Sequence, residues 1–358
     1  MYRYVLGILL SFAGLQAQDI SGIWQGTLGE GTDRLRLVVR IAKGHNQWTG
    51  TLSSIDPGPD WQTRHPLSSV ILQAGSVSFK VGETGMFGAF EGTLNPGGTS
   101  IRGDWIQGGY RQPITFDRPT KKTEWKDPSV HSVRFVTVEN GVRLEVLDWG
   151  GSGRPVLLLA GNGNTAHVFD AFAPKLTSSY HVYGLTRRGF WPSSEPASGY
   201  DGDRLGDDVL KVIHSLKIRK PVLIGHSIAG VELSSVGSRH PESVAGLVYI
   251  DSAYSWAYYD PTLREADLAG FDAASLSGPS RSIYENRRQY TRIQPPVLAI
   301  YAFGERKDPA SAVAQANAFE KGVPQARVVR FPQAPHYIFV SNEADVLREI
   351  NAFIATVP

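Results

Sequence analysis

From Ile20 to about Pro119, apolar residues return at every second position. Leu35, Leu37, Val39 and Ile41 alternate with Arg36, Val38 and Arg40, and Val77, Phe79 and Val81 alternate with Ser and Lys. A period of two is the signature of strands with one face buried. A short phrase recurs as Trp24-Gln-Gly-Thr-Leu28, Trp48-Thr-Gly-Thr-Leu52 and Phe90-Glu-Gly-Thr-Leu94. It places an aromatic, a glycine and a leucine on one strand face, because side chains two apart point the same way. A glycine in that position suits a strand that bends or lies against another backbone. Turn clusters at 29–32, 44–46, 56–60 and 95–98 separate the runs, so residues 19–119 are expected to form a small antiparallel barrel or sandwich. Residues 120–131 are polar and without an apolar period, and read as a linker.

From Ser132 the pattern changes. Val133 to Val138 and Val142 to Leu147 are strand-like and joined through Asn140-Gly141, a hairpin signal. Then come runs that are apolar on both faces: Pro155 to Ala160, His181 to Leu185, Pro221 to Ile224, Val244 to Ile250 and Pro296 to Ala302. Strands buried on both sides belong to a parallel sheet covered by helices. Helical segments fall between and after them, among them Asp203 to Leu216, with Leu205, Val209, Val212, Ile213 and Leu216 on one face, and Asn342 to Ile354. The fold class is therefore α/β over residues 132–358, with a separate all-β domain ahead of it.

Composition narrows the function more by exclusion than by assignment. The 358 residues are 41% hydrophobic and 20% charged, with a net charge of +2 and no basic tail, so no nucleic-acid partner is expected. No cysteine is present, which removes disulfides, thiolate metal sites and a Cys nucleophile. There is no G-x-x-x-x-G-K-[ST] loop and no metal-ligand spacing of His, Asp and Glu, so neither a metal nor a cofactor is expected. Arg3, the apolar stretch Val5 to Leu15 and the small residue Ala17 have the form of a secretory leader over residues 1–18. The run is too short to span a bilayer, for which ~20 apolar residues are needed. The expected product is secreted or periplasmic, with no integral span once the leader is removed. Terminal sequencing of exported protein would then begin near Gln18 or Asp19, and an intact Met1 would contradict this.

Gly225-His226-Ser227-Ile228-Ala229-Gly230 follows the run ending at Ile224 and opens an apolar helix. A serine on a tight strand-to-helix turn has its hydroxyl lifted above the sheet, and small neighbours are needed for the backbone to turn there. This is G-x-S-x-G with Ala229 in place of the second glycine. Over Ser132 to Pro358 the chain resembles the α/β-hydrolase family, and the resemblance implies a Ser–His–acid triad. It makes Ser227 the nucleophile and His336 the base, in Pro332-Gln-Ala-Pro-His336 after the strand Ala326 to Phe331. The family's usual place for the acid is the loop Phe303-Gly-Glu-Arg-Lys-Asp308, where Lys307 falls at the Gly-x-x-Asp spacing. Asp308 ranks first, Asp251 second and Glu305 third. The resemblance also implies an oxyanion hole from the backbone N–H groups of Ile228 and Asn162.

Gly22-Ile23-Trp24 resembles the glycine–x–tryptophan signature of lipocalin-like barrels, over one strand only. Arg188-Gly189-Phe190 matches a family turn and is read as structural. The family inserts a lid at about 252–294, and Tyr254 and Trp256 at its start, together with Trp191, are candidates to line an apolar substrate pocket. The expected reaction is cleavage of a small carboxylic ester through an acyl-enzyme. The competing readings are an aminopeptidase or amidase, with Glu265 and Asp267 as candidate acidic groups, a perhydrolase on the same triad, and a non-catalytic ligand-binding protein.

Overall fold

The computed structural model describes residues 19–358 except 31–34, 45–46, 56–64, 83–87, 126–130, 191, 262, 264–277, 286–289, 305 and 307. The expected leader, Trp191, Glu305, Glu265 and Asp267 thus lie outside the described residues. The chain divides into two compact units, Met1–Leu52 with His65–Trp125, and Ser53–Arg64 with Lys126–Pro358. No helix among the described residues is long and apolar enough to cross a membrane.

The first unit is a closed antiparallel barrel of eight strands in sequence order: β1 (Gly22–Leu28), β2 (Leu35–Lys43), β3 (Trp48–Ser54), β4 (His65–Gln73), β5 (Ser76–Val81), β6 (Gly88–Leu94), β7 (Ser100–Gln107) and β8 (Tyr110–Asp117). Closure leaves no sheet edge exposed. Rings fill the interior. Phe79 stacks on Phe90 with centroids 5.0 Å apart, and Phe116 meets Phe90 edge-on at 5.2 Å. Trp24, Trp105, Leu37, Leu52 and Val77 are all buried with them. The recurring glycines make room for this packing. Gly92 pairs with Gly103 across β6 and β7, and a Cβ on Gly92 would lie 2.4 Å from the Phe90 ring. Arg118 lies over the Trp24 ring at 4.2 Å and donates to the carbonyls of Asp19, Ser21 and Gly98. Residues 120–125, expected in the linker, are instead fastened to β1. Gln25 Nε2 donates to the Thr123 carbonyl at 3.1 Å, and its Oε1 accepts from Trp125 N at 2.7 Å. A single buried glutamine supplies both bonds, which no periodicity in 120–131 could reveal.

The second unit is an eight-stranded sheet in the order β16-β15-β14-β13-β11-β12-β10-β9. Its strands are β9 (Ser132–Glu139), β10 (Val142–Gly150), β11 (Arg154–Leu159), β12 (Tyr180–Leu185), β13 (Val222–His226), β14 (Gly246–Ile250), β15 (Val297–Ala302) and β16 (Ala326–Phe331). The hairpin β9–β10 is antiparallel, β10 pairs antiparallel with β12, and the remaining pairs are parallel. Helices α1 (Gly202–Ser215), α2 (Gly230–Arg239), α3 (Gly278–Glu285), α4 (Pro309–Gly322), α5 (Ile338–Ser341) and α6 (Glu343–Ile354) accompany it. Alternate residues of each central strand enter two different cores. Leu157, Leu223, Leu247 and Ala299 pack with Leu205, Val209 and Leu233, whereas Leu158, Ile224, Val248 and Ile300 pack with Val346, Ile350 and Phe353. The runs read as apolar on both faces because both faces are covered.

Candidate active site

Chemistry-bearing residues collect at the carboxyl ends of β11, β13, β14, β15 and β16, where an open α/β sheet leaves its crevice. Ser227 follows β13 at φ 55°, opening a 3-10 turn that runs into α2. A left-handed conformation costs a non-glycine residue roughly 1–2 kcal/mol, so surrounding packing must impose it. The glycine pattern explains how. A Cβ on Gly225 would lie 3.0 Å from the Ala229 Cβ, and one on Gly230 would lie 2.1 Å from the Ser252 carbonyl oxygen. The position that tolerates no side chain is therefore 230, which is why alanine is accepted at 229.

His336 follows β16. Its Nδ1 lies 2.6 Å from Oδ2 of Asp251, the residue directly after β14, itself at φ 46° and fully buried. Asp251 Oδ1 accepts from the Ala302 amide at 3.0 Å and from the Tyr254 hydroxyl at 2.5 Å, and Oδ2 also takes a hydrogen bond from Arg306. Burial alone would raise this carboxyl. The His336 hydrogen bond and the Arg306 charge outweigh it and hold Asp251 below the usual carboxylate range. Asp308, first in rank from the sequence, is engaged elsewhere. It is the N-cap of α4, its carboxylate accepting from Ser311 N at 3.1 Å. The carboxylate beside His336 is the second-ranked Asp251, and the loop expected to donate the acid donates Arg306 instead. Glu305 lies outside the described residues.

His226 joins the serine turn to the histidine loop. Its Nε2 lies 3.1 Å from the His336 carbonyl, and its ring packs 4.5 Å from the His336 ring. Burial, then the neighbouring His336, pushes His226 down to about 3, so it is neutral and donates through Nε2. The turn Gly161–Asn164 passes directly over this pair. A Cβ on Gly161 would lie 2.7 Å from His226 Nδ1 and 3.1 Å from Ser227 Cβ, so only glycine lets the turn approach so closely. Tyr337 donates its hydroxyl to Asn164 Oδ1 at 3.0 Å, tying that turn to the histidine loop. From below, Arg187 donates to the Ala160 carbonyl at 2.8 Å and pairs with Glu232 of α2. Ile228 is buried next to the serine, and Asn162 sits in the turn above it. Trp256 Nε1 donates to the Ser227 carbonyl at 3.2 Å and its ring lies 5.1 Å from Tyr254, placing both beside the serine.

A second titratable cluster sits between β10 and the 3-10 turn Ala166–Phe169. His131, His167 and Asp170 come close enough to share a metal ion. They are already joined without one. Asp170 lies 2.9 Å from His131 Nδ1 and 2.9 Å from His167 Nδ1, while Glu145 faces His167 Nε2 at 3.5 Å. Burial opposes charge on His167, but Asp170 and Glu145 outweigh it and raise the imidazole to about 10. Both ring nitrogens of His167 thus face carboxylates. Because the folded value lies above the unfolded 6.5, the stabilisation is complete below pH 6.5 and is lost as pH rises through about 10. Denaturant titrations should therefore show the wild type losing stability relative to His167→Gln between pH 7 and 9.5, by on the order of 1 kcal/mol per pH unit at most. Parallel curves would contradict this assignment. Sequence spacing gave no sign of the cluster, because its members come from three separated segments, at His131, Glu145 and His167–Asp170.

Residues 154–279 match the profile of the alpha/beta hydrolase fold family. A non-heme haloperoxidase of Rhodococcus erythropolis is 33% identical over 161 residues, 44% of this chain and 56% of that protein. A 2-(acetamidomethylene)succinate hydrolase of Mesorhizobium japonicum is 22% identical over 250 residues, 57% of this chain and 89% of that one. The chain thus spans about half the length of the haloperoxidase and most of the succinate hydrolase. Among solved structures, that of E-2-(acetamidomethylene)succinate hydrolase superposes with a TM-score of 0.52 at 20% identity, over 63% of this chain and 100% of the other, which speaks for the fold. With its sheet order, its strand-to-helix serine turn and the match over residues 154–279, the second unit has the alpha/beta hydrolase fold, and an antiparallel β-barrel precedes it in the sequence.

Proposed function

We propose that the chain is a serine hydrolase that cleaves a small carboxylic ester through an acyl-enzyme. The observation that supports this reading is the left-handed turn at Ser227, together with a His336 whose Nδ1 faces a buried carboxylate and whose ring packs on His226, the residue before Ser227. A serine hydroxyl is a weak nucleophile at neutral pH and needs a base. In the proposed cycle Ser227 Oγ attacks the ester carbonyl while His336 Nε2 takes its proton. The Ile228 and Asn162 amides stabilise the oxyanion, and His336 returns the proton to the departing alkoxide. Water, activated by the same imidazole, then attacks the acyl-serine and regenerates Ser227 with release of the acid. Asp251 holds the Nδ1–H tautomer and stabilises the imidazolium. Asp308 has no part in this cycle. Tyr254 and Trp256 supply apolar surface next to the serine.

Hydrolysis of short-chain p-nitrophenyl esters by the whole chain tests the proposal, with Ser227→Ala as control. Turnover that falls to background in the variant supports it, and equal turnover in both overturns it. One second reading has specific support, the haloperoxidase name of several relatives. If hydrogen peroxide rather than water resolves the acyl-serine, the product is a peracid and the free serine. A peracid assay with acetate and peroxide separates the two.

A further inference from the structure

The Asp251 carboxylate carries an unusual load. Its two oxygens take four donors: His336, Arg306, Tyr254 and the Ala302 amide. Arg306 is held in place for this contact. Its Nε donates to the Ala302 carbonyl at 3.3 Å, its amide donates to the Phe303 carbonyl at 3.4 Å, and its guanidinium lies 4.4 Å over the Tyr254 ring. Both His336 and Arg306 use the same oxygen, Oδ2. We infer that Arg306 is a positioning residue for the proposed triad: by sharing Oδ2 it withdraws negative charge from the imidazole and sets the acidic edge of the pH range in which His336 is a free base.

The electrostatic surroundings leave this role to Arg306. His226 packs on the His336 ring from β13 and is neutral. Tyr254 after β14 and Tyr301 on β15 are both pushed upward, by burial first and then by the Asp251 charge, so each stays a neutral phenol. Tyr337, beside His336, spends its hydroxyl on Asn164. Among the described residues in contact with Asp251, Arg306 therefore carries the one permanent positive charge. The guanidinium is a quarter exposed, so its field is partly screened but not lost. A like charge disfavours the protonated imidazole, and with the guanidinium partly screened the expected displacement is about 1 pH unit.

The inference rests on the Ser227–His336–Asp251 reading for its consequence in catalysis, but its electrostatic core can be read without activity. The test is a pH titration of the His336 imidazole by NMR on the full chain, with the resonance assigned from its loss in His336→Gln. In Arg306→Met the midpoint should rise by about 1 pH unit, whereas Arg306→Lys, which keeps the charge, should stay within about 0.3 of wild type. Arg306→Gln provides the same neutralisation should the methionine variant fold poorly. Tyr254→Phe removes an uncharged donor from the same carboxylate and should shift the midpoint by less than half as much. The pH profile of fluorophosphonate labelling should move in parallel. An unchanged midpoint in both neutral variants, or a lysine variant displaced as far as they are, overturns the inference. If wild type is not labelled yet the midpoint still rises, the nucleophile reading fails while the charge effect stands.

Discussion

An Asp251→Asn variant should fold and lose about four orders of magnitude in ester turnover, while Asp308→Asn should keep nearly all of it. The difference follows from what each carboxylate touches. In Asp251→Asn the amide oxygen is kept at the Oδ1 position by the Ala302 amide and the Tyr254 hydroxyl, which leaves the NH2 at the Oδ2 position facing Arg306 and His336 Nδ1. Two donors then oppose each other, the imidazole takes the tautomer with hydrogen on Nε2, and it can no longer accept the serine proton. Asn at position 308 caps a helix as well as Asp does, so neither turnover nor stability should change by much. Asp308→Ala should cost about 1 kcal/mol of stability with turnover intact. Loss of turnover in the Asp308 variants alone would reverse the assignment.

The largest stability effect is expected at Arg188. Its side chain is fully buried, donates from Nε and Nη2 to Asp208 at 2.6 and 2.7 Å, and from Nη1 to Glu139 at 2.8 Å. Burial already raises Asp208 despite this partner. Arg188→Met would leave a buried carboxylate without its hydrogen-bonded counter-charge, and a loss of ~3–5 kcal/mol is expected from urea unfolding at neutral pH. In that variant Asp208 is raised further above its unfolded value. The deficit should therefore shrink as pH falls toward 5, where protonation neutralises the orphan. Adding Asp208→Leu should recover much of the stability, because removing both partners spares the desolvation penalty. A loss under 1 kcal/mol, or one independent of pH, would contradict the account. The turn that Arg188 anchors also carries Arg187, which holds the carbonyl of Ala160 just before the Gly161–Asn164 turn.

Both periodicities were readable because they are produced by burial itself. Period two over 35–41 marks one covered face of the barrel, and unbroken apolar runs such as 221–224 mark strands covered on both. The strand-to-helix turn at Ser227 was readable because it demands small residues in a fixed local order, and His336 was singled out because it is the only histidine beyond His240. The carboxylate that faces His336 was not, since its identity depends on how far two separate loops project from adjacent strand ends. Asp308 satisfies helix capping, a local demand that produces the same residue at nearly the same spacing. The signal that was present was weaker: Asp251 closes an otherwise wholly apolar strand, and an acid at the end of such a strand must meet donors. Arg306, His226 and the Glu145–His167–Asp170–His131 cluster depend on long-range contacts that leave no periodic trace. The barrel bears on the binding-protein alternative. Its interior is occupied by Trp24, Phe79, Phe90, Trp105 and Phe116, so an apolar ligand would have to displace packed rings.

The central claim, that Ser227 is an activated nucleophile, is met most directly by intact-mass measurement after treating the full chain with a fluorophosphonate. One phosphonyl adduct per chain is expected, mapping to the peptide that contains Ser227, absent in Ser227→Ala and strongly slowed in His336→Ala. A folded wild-type chain that gains no adduct, or gains one on another residue, would contradict it.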